Sequence, residues 1–264
     1  FGTDGTDSLR IVSYPGVPGG QMVDRPQRLL TQNRELRRIG AWNWTLPAWA
    51  GRLPDGRTYN ACPSAGVCAK ACYALQGTYR FPAVRARHEA NLAYVLDDPD
   101  GWEAQMLAEV GHRRHQGGYI RIHDAGDFFS ATYLAAWLRI ARATPEATFY
   151  SYTKEVALFR ELVEPDPPAN FRWVYSFGGT QDGALDDAVD RVADVFPTLE
   201  AMDAAGYADQ SESDLLAVLG PPLVGIPANN IPQYRKRFAG RTFREWQSEA
   251  DDERTARRDA RAPR

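Results

Sequence analysis

Short apolar segments with the period of a β-strand alternate with helical patterns along most of this 264-residue chain. The predicted strands are 41–46, 119–123, 148–152, 171–177, 191–196 and 222–226. Strands that alternate with helices form parallel sheets, because each helix returns the chain to the edge from which the next strand starts. Six such units predict an α/β fold, a full or partial (β/α) barrel of mostly parallel strands.

The two ends of the chain differ from this alternating centre. Residues 1–25 are rich in Gly, Pro and Asp, which predicts a loosely ordered N-terminal arm. Residues 26–232 should form a single barrel-like catalytic domain, and 233–264 a basic C-terminal helix whose end frays into a tail. Within the central domain, 27–39 favours a helix. The segment 47–60 should be a loop, because it contains two prolines and two glycines.

All three cysteines of the chain, Cys62, Cys68 and Cys72, fall within eleven positions after the first predicted strand. Thiols stay reduced inside cells, so a C-x5-C-x3-C cluster favours a metal site over disulfides. Three thiolates would hold a [4Fe–4S] cubane and leave one iron open to substrate or cofactor. Two alternatives stay open: a zinc ion with a histidine, His88 foremost, or a carboxylate as fourth ligand, and three packed thiols without metal.

The loops that leave the predicted strands carry the other unusual residues. Asp124 and Asp127 follow the second strand and could do acid/base work, or form an ordinary turn and helix cap. Lys154 follows the third strand. Because strand exits share one edge in a parallel fold, these side chains should meet the cysteine loop there.

Three further positions are candidates for binding a cofactor or a phosphate. Lys70, inside the cysteine loop, could pair with a cluster sulfide or a substrate phosphate. Gly178 and Gly179 follow the fourth predicted strand, where backbone amides could approach a phosphate or a cofactor carboxylate. For the lysine the alternative is a solvated side chain, and for the glycines an ordinary turn.

A basic and aromatic cluster lies near the C-terminus. It admits a nucleic-acid partner, because arginines neutralise phosphates and aromatic rings stack on bases. The alternative is an amphipathic helix with solvated arginines. The net charge of −3 argues against a wholly basic surface but is compatible with a local one. The basic residues of the cluster are Arg235, Lys236, Arg237, Arg241 and Arg244.

Four motifs together resemble the phage gene product 88 family, which is similar in layout to the phage Gp37/Gp68 group. They are CPxxGxCxKxCYA at 62–74, RxxHxxNL at 85–92, RIHDxGDF at 121–128 and YTK at 152–154. The resemblance covers roughly residues 40–180, with a weaker echo at 240–242. It implies a barrel resembling the radical-SAM enzymes, with the iron–sulfur cluster held in the first strand–helix loop.

Carried onto this sequence, the resemblance implies that Cys62, Cys68 and Cys72 are the cluster ligands. It also implies that Asp124, Asp127 and Lys154 line the pocket, and that Tyr73 contributes to cofactor binding beside Lys70. The usual radical-SAM spacing is C-x3-C-x2-C, and no Gly-Gly-Glu segment follows the second predicted strand. S-adenosylmethionine is therefore an open alternative rather than an implied cofactor.

Three functions follow as hypotheses. The first is a phage or prophage iron–sulfur enzyme that acts on a phosphate-bearing or nucleic-acid-related substrate. The second is a base-exchange enzyme similar to the deazaguanine transglycosylases, with an aspartate nucleophile. The third is a non-catalytic, metal-stabilised binding module. No apolar run reaches the roughly 18 residues that a membrane helix needs, so we expect a cytoplasmic protein, in the host cytoplasm if a phage encodes it.

Overall fold

The computed structural model describes residues 25–228 and 236–261. The predictions made for the N-terminal arm and for Arg235 fall largely or wholly outside these ranges. The strands within them are β1 (Ala41–Trp44), β2 (Ala50–Arg52), β3 (Thr58–Asn60), β4 (Tyr119–Ile122), β5 (Thr148–Thr153), β6 (Phe171–Ser176), β7 (Val192–Phe196), β8 (Ala208–Asp209) and β9 (Leu223–Pro227).

Seven of these strands form one parallel sheet in the order β1-β4-β5-β6-β7-β9-β8. The α/β class and the parallel arrangement are therefore confirmed. The sheet is open in the described part of the chain, so the closed barrel is not confirmed. Its β1 edge is covered instead by Thr31, which pairs antiparallel with Asn43 through bonds of 2.9 and 2.7 Å.

Eight helices with α geometry accompany the sheet in the described residues. Their bounds are α1 (Arg34–Arg38), α2 (Pro82–Asp97), α3 (Pro99–Val110), α4 (Ala131–Ala143), α5 (Val156–Leu162), α6 (Leu199–Ala204), α7 (Leu216–Leu219) and α8 (Phe243–Asp259). Pro82 occupies the first turn of α2, where its missing N–H costs nothing. Ser130 caps α4, because its hydroxyl accepts the Tyr133 amide at 3.2 Å.

Two local predictions were wrong. The helix expected at 27–39 is confined to α1, because the amides of Leu29 and Leu30 donate to the Glu109 carboxylate at 2.7 and 3.1 Å and hold the chain extended. The loop expected at 47–60 contains the antiparallel pair β2–β3. Short strands of this kind carry too little apolar periodicity to be recognised in a sequence.

The two faces of the sheet differ, because side chains alternate along each strand. One face packs against α3, α4 and α5, where Trp102, Trp137 and Phe159 are fully buried. The opposite face is covered by apolar side chains towards the start of the strands, among them Tyr150 and Val218. The space above them, at the carboxyl edge of the sheet, contains the candidate site.

The C-terminal helix α8 packs against β7 and against the cysteine loop. It runs to Asp259, further than the frayed end expected from the sequence. Thr242 and Glu245 form a reciprocal capping box at its start. Among the described residues, no helix combines the length and the apolar character required to cross a bilayer.

Candidate functional site

A cavity of about 390 Å³ opens at the carboxyl edge of the sheet. Its wall brings together seven of the ten site residues predicted from the sequence. Lys70, Gly178 and Gly179 lie outside this wall. The meeting of residues separated by up to 92 positions follows from the shared direction of the strands. The predicted residues in the wall are Cys62, Cys68, Cys72, Tyr73, Asp124, Asp127 and Lys154.

The three cysteines are carried by consecutive tight turns between β3 and α2, and all three are partly buried free thiols. Burial raises the pKa of Cys62 well above its usual value, and the Asp127 carboxylate adds to the effect. Burial, followed by the neighbouring Cys68, raises the pKa of Cys72 to about 11. These thiols therefore stay protonated at neutral pH unless a bound cation stabilises the thiolates.

Backbone amides point at two of the sulfurs. The Trp49 amide faces Cys62, and the amides of Ala74 and Leu75 face Cys72. Each lowers the pKa of its thiol, although burial outweighs it. Hydrogen bonds from amides to cysteine sulfur are among the features that tune iron–sulfur clusters. The cysteine loop thus contains the thiols, and backbone amides are placed to donate hydrogen bonds to two of them once they are deprotonated.

No three His, Cys, Asp or Glu side chains are grouped to hold one metal ion within the ranges that the structure describes. A structural zinc ion needs such a group, because its four ligands meet at one point. A cubane cluster binds each thiolate at a different iron, so its cysteines need only border a common space. His88, the candidate fourth zinc ligand, lies outside the cavity wall, and burial lowers its pKa to about 4. The described residues therefore lack the ligand group that a structural zinc ion needs, and the three cysteines border one cavity.

Glu155 supports the cysteine loop from the side of β5. Its two carboxylate oxygens accept the Ser64 amide at 2.9 Å and the Ser64 hydroxyl at 2.8 Å. Burial, and after it the charge of Asp127, raises the pKa of Glu155 to about 7. Nothing in the sequence pattern singled out this residue, because a glutamate at the start of a helix is common.

Glu155 should make stability depend on pH. A folded-state pKa of about 7, above the ordinary 4.5, means that the native protein binds the proton more tightly than the unfolded chain. This contribution to stability is complete below about pH 4.5 and is lost as pH rises through about 7. We expect Glu155→Gln to flatten the fall in the free energy of unfolding between these values. Urea titrations of both proteins at several pH values measure it; equal slopes would contradict it.

The glycines after β6 hold the cysteine loop. The Gly178 carbonyl accepts the amides of Gly66 and Cys68, both at 3.0 Å. The amides of Gly178 and Gly179 themselves donate to the Asp182 carboxylate at 2.7 and 2.8 Å. Neither amide is free for the phosphate or cofactor carboxylate that the sequence suggested. Glycine is still required at position 178, because the backbone passes close to the Phe243 ring and a Cβ on Gly178 would lie 3.0 Å from it.

Gln247 of α8 holds the same loop from the other end of the chain. Its buried side-chain carbonyl accepts the Val67 amide at 2.7 Å, and its amide donates to Asp251 at 3.0 Å. A Cβ on Gly66 would lie 2.0 Å from this carbonyl, so the glycine leaves room for it. The contact joins residues 180 positions apart.

We expect Gln247→Ala to lower the free energy of unfolding by about 1–3 kcal/mol, because the buried Val67 amide loses its acceptor. Ser248→Ala, at the next and exposed position of the same helix, is the control and should stay within about 0.5 kcal/mol of the native protein. Urea denaturation followed by circular dichroism measures both. Equal effects of the two substitutions would show that Gln247 does not hold the loop.

Asp127 joins the exits of two strands. Its buried carboxylate accepts the Phe128 amide at 2.8 Å, the Thr153 hydroxyl at 2.8 Å and the Lys154 amide at 2.9 Å. Burial raises its pKa, and these hydrogen bonds oppose the rise. The Asp127 amide in turn donates to the Ala61 carbonyl, next to Cys62, at 2.7 Å. With both oxygens engaged, Asp127 is better suited to positioning the cavity wall than to proton transfer.

Asp124 faces an arginine that the sequence analysis did not single out. Arg121 Nη1 lies 3.4 Å from Asp124 and 3.2 Å from Asp214, and its guanidinium covers the Tyr152 ring at 5.4 Å. The Tyr79 hydroxyl donates to the other Asp124 oxygen. Arg121 and Asp214 both line the cavity, so it contains a buried cation held between two carboxylates.

Lys154 and Tyr73 are anchored by further polar contacts. Lys154 Nζ donates to the Ser176 hydroxyl at 2.7 Å. The Tyr73 hydroxyl donates to the Asp124 carbonyl, which fixes the ring while 44% of the residue stays exposed. Both side chains line the cavity.

His123 lines the cavity as a buried residue. The Tyr133 hydroxyl accepts the Trp44 indole N–H at 2.7 Å and lies 2.9 Å from His123 Nε2. The Tyr133 hydroxyl proton is therefore available for donation to His123 Nε2. This hydrogen bond assigns the imidazole proton of His123 to Nδ1. Burial lowers the pKa of His123 to about 3, so the ring is neutral.

The basic residues near the C-terminus are mostly engaged in contacts within the protein. Arg244 pairs with Asp187 at 2.6 Å, and Arg241 pairs with Glu249. Arg237 donates to the Lys70 carbonyl, and Lys70 Nζ lies 6.0 Å from the centre of the Trp246 ring. Lys236 is exposed. The cluster therefore covers the outside of the cysteine loop, and its arginines are less available to phosphates than the sequence suggested.

Together these observations define a parallel α/β protein with a cysteine-lined cavity at the carboxyl edge of its sheet. The profile of the gene product 88 family matches residues 25–259. Because this match covers most of the chain, the protein belongs to the gene product 88 family.

Two curated relatives come from phages. The Gene 88 protein of Mycobacterium phage L5 is 35% identical over 109 residues, and that of Mycobacterium phage D29 is 31% identical over 109 residues. Each alignment covers 39% of this chain, and 46% and 45% of the respective relative. The matched stretch thus spans about half the length of these relatives. No solved structure matches the chain.

Proposed function

We propose that this protein is an iron–sulfur enzyme in which Cys62, Cys68 and Cys72 hold a [4Fe–4S] cluster with one iron free of protein ligands. The observation that carries the proposal is that one cavity is bordered by all three cysteines together with Asp124 and Lys154. When bound, such a cluster supplies electrons and an open coordination position next to the substrate. The amides that face Cys62 and Cys72 would stabilise the thiolates.

The finer part of the proposal is a likeness to the radical-SAM enzymes and to the phage Gp37/Gp68 group. It is supported by a sheet in which β1, β4, β5, β6 and β7 are neighbours in chain order, with the cysteines after the first strand. In this arrangement a partial barrel would enclose the cluster at the carboxyl ends of the strands. S-adenosylmethionine is one candidate for the open iron.

The substrate side of the cavity is formed by charged residues of both signs. Lys154, on the Ser176 hydroxyl, can bind an anionic group such as a phosphate. Asp124 and Asp214 flank Arg121 and can orient a hydroxyl or amine, or exchange a proton with it. These groups favour a phosphate-bearing or nucleic-acid-related substrate in a phage or prophage context.

Anaerobic purification followed by iron and sulfide analysis tests the proposal. About four irons and four sulfides per chain are expected, with a paramagnetic signal after reduction. A change of this signal on adding S-adenosylmethionine would support the radical-SAM likeness, and an unchanged signal would remove that part. Zinc alone, or no metal, would overturn the proposal. A glycosyl adduct on Asp124 would then indicate the base-exchange alternative.

A further inference from the structure

Trp49 is the most unusual aromatic residue at the mouth of the cavity. It lines the cavity wall, yet 41% of the residue is exposed. Its indole makes no aromatic contact and no hydrogen bond with the residues that the structure describes. A large apolar ring left half in water beside a cavity is a surface that a ligand can cover.

The backbone at Trp49 is held in a conformation that favours glycine. Its φ of 53° lies in the left-handed region, which a bulky residue rarely adopts. The position is fixed on both sides of the peptide: the Trp49 carbonyl accepts the Ala61 amide at 2.6 Å, and its amide faces the Cys62 sulfur. A glycine would relieve the strain, so the tryptophan side chain itself needs a reason.

A second exposed ring lines the same cavity, and two exposed cations lie on the neighbouring turns. Tyr73, 44% exposed, lines the cavity with its hydroxyl tied to the Asp124 carbonyl, so its ring is rigid. Lys70 and Arg80 are exposed on the turns that carry the cysteines and Tyr79. Neither forms an ion pair with a described acidic side chain, and Lys70 Nζ lies 6.0 Å from the centre of the Trp246 ring. Aromatic rings and nearby cations are the two components of single-strand recognition.

We infer that Trp49 and Tyr73 form a stacking site for bases of a single-stranded nucleic acid, with Lys70 and Arg80 contacting its phosphates. One nucleotide would enter the cavity, whose volume of about 390 Å³ lies within the usual range for small-ligand sites. The inference rests on the proposed function, since it names the substrate class of the same cavity. It uses other residues than the C-terminal basic cluster, whose arginines are largely paired.

Fluorescence anisotropy with labelled 12-nucleotide single-stranded DNA and RNA of mixed sequence tests this site in the anaerobically purified protein. Trp49→Ala is expected to weaken binding of the preferred strand by about 5- to 150-fold, the range for one stacked base. Trp49→Phe should recover most of the affinity, because it keeps a ring. Phe81→Ala is the control: it removes an exposed ring that does not line the cavity.

Lys70→Ala and Arg80→Ala provide an independent measurement. Each should reduce the slope of log affinity against log salt concentration by about one, without changing the preference among sequences. Failure of both strands to bind the native protein would overturn the inference. Equal losses in Trp49→Ala and Phe81→Ala would also overturn it. The inference would also be overturned if Trp49→Ala weakened the binding of adenosine monophosphate but not of the strands. Trp49 would then bind the nucleoside of a cofactor.

Iron and sulfide content, measured on each variant, separates this inference from the proposed function. Native iron in Trp49→Ala together with weakened strand binding supports the stacking site. A protein without iron that still loses strand binding in Trp49→Ala would overturn the cluster and keep the site. If the protein contains iron and Trp49→Ala leaves strand binding unchanged, the cluster is kept and the stacking site is overturned.

Discussion

Replacement of Cys68 by serine is expected to remove nearly all bound iron and sulfide from the anaerobically purified protein. A serine hydroxyl is a poor substitute for a thiolate, and a cubane with one iron already open would keep only two protein ligands. The expected change is from about four irons per chain to well below one. Iron and sulfide analysis of variants purified side by side measures it.

Ala69→Ser is the matched control for this substitution. It introduces the same hydroxyl group at the next position of the turn, also in the cavity wall, and leaves all three thiols in place. It should retain the native iron content. Circular dichroism should show that Cys68→Ser is still folded, because serine is close to cysteine in size and the thiol is only partly buried where it packs against the core. Native iron content in Cys68→Ser would exclude Cys68 as a ligand.

The edge of the sheet at which the site lies could be predicted from the sequence, because it depends only on local patterns and on one topological rule. Apolar segments with period two gave strands close to those observed. Parallel strands place their exits on one edge, so Cys62, Asp124 and Lys154 were expected together and line one cavity. The motif order along the chain was sufficient for this, without knowledge of the strand order.

The partners of these residues could not be predicted, because they are distant in sequence and ordinary in type. Asp214 lies 93 positions after Arg121, in a connection that carried no motif. Gln247 binds Val67 across 180 positions, and a glutamine on a charged helix resembles a solvated residue. Nothing short of the fold brings such pairs together.

The Gly178–Gly179 turn shows a different limit of sequence reasoning. Adjacent glycines after a strand are compatible with backbone amides that approach a ligand and with an ordinary turn, and the sequence could not decide between the two. The turn approaches the cysteine loop, and Asp182, three to four residues further on, takes the amides that were expected to bind a ligand.

Replacement of Asp127 by alanine is expected to lower the free energy of unfolding by about 3–5 kcal/mol, a large part of the stability of a typical domain. The substitution leaves the Phe128 amide, the Thr153 hydroxyl and the Lys154 amide without their acceptor. All three donors are next to the cavity wall, so the exits of β4 and β5 would separate. Urea denaturation followed by tryptophan fluorescence measures the change.

Asp127→Asn separates the hydrogen bonds from the charge. Its side-chain oxygen can still accept the Phe128 amide and the Thr153 hydroxyl, which share one carboxylate oxygen, whereas its amide group would face the Lys154 N–H. The free energy of unfolding of Asp127→Asn should therefore lie between those of the native protein and of Asp127→Ala. A loss below about 1 kcal/mol in Asp127→Ala would mean that the three donors find other partners. If stability instead falls in the order native protein, Asp127→Asn, Asp127→Ala, Asp127 is the residue that positions the wall on which Cys62 and Lys154 meet.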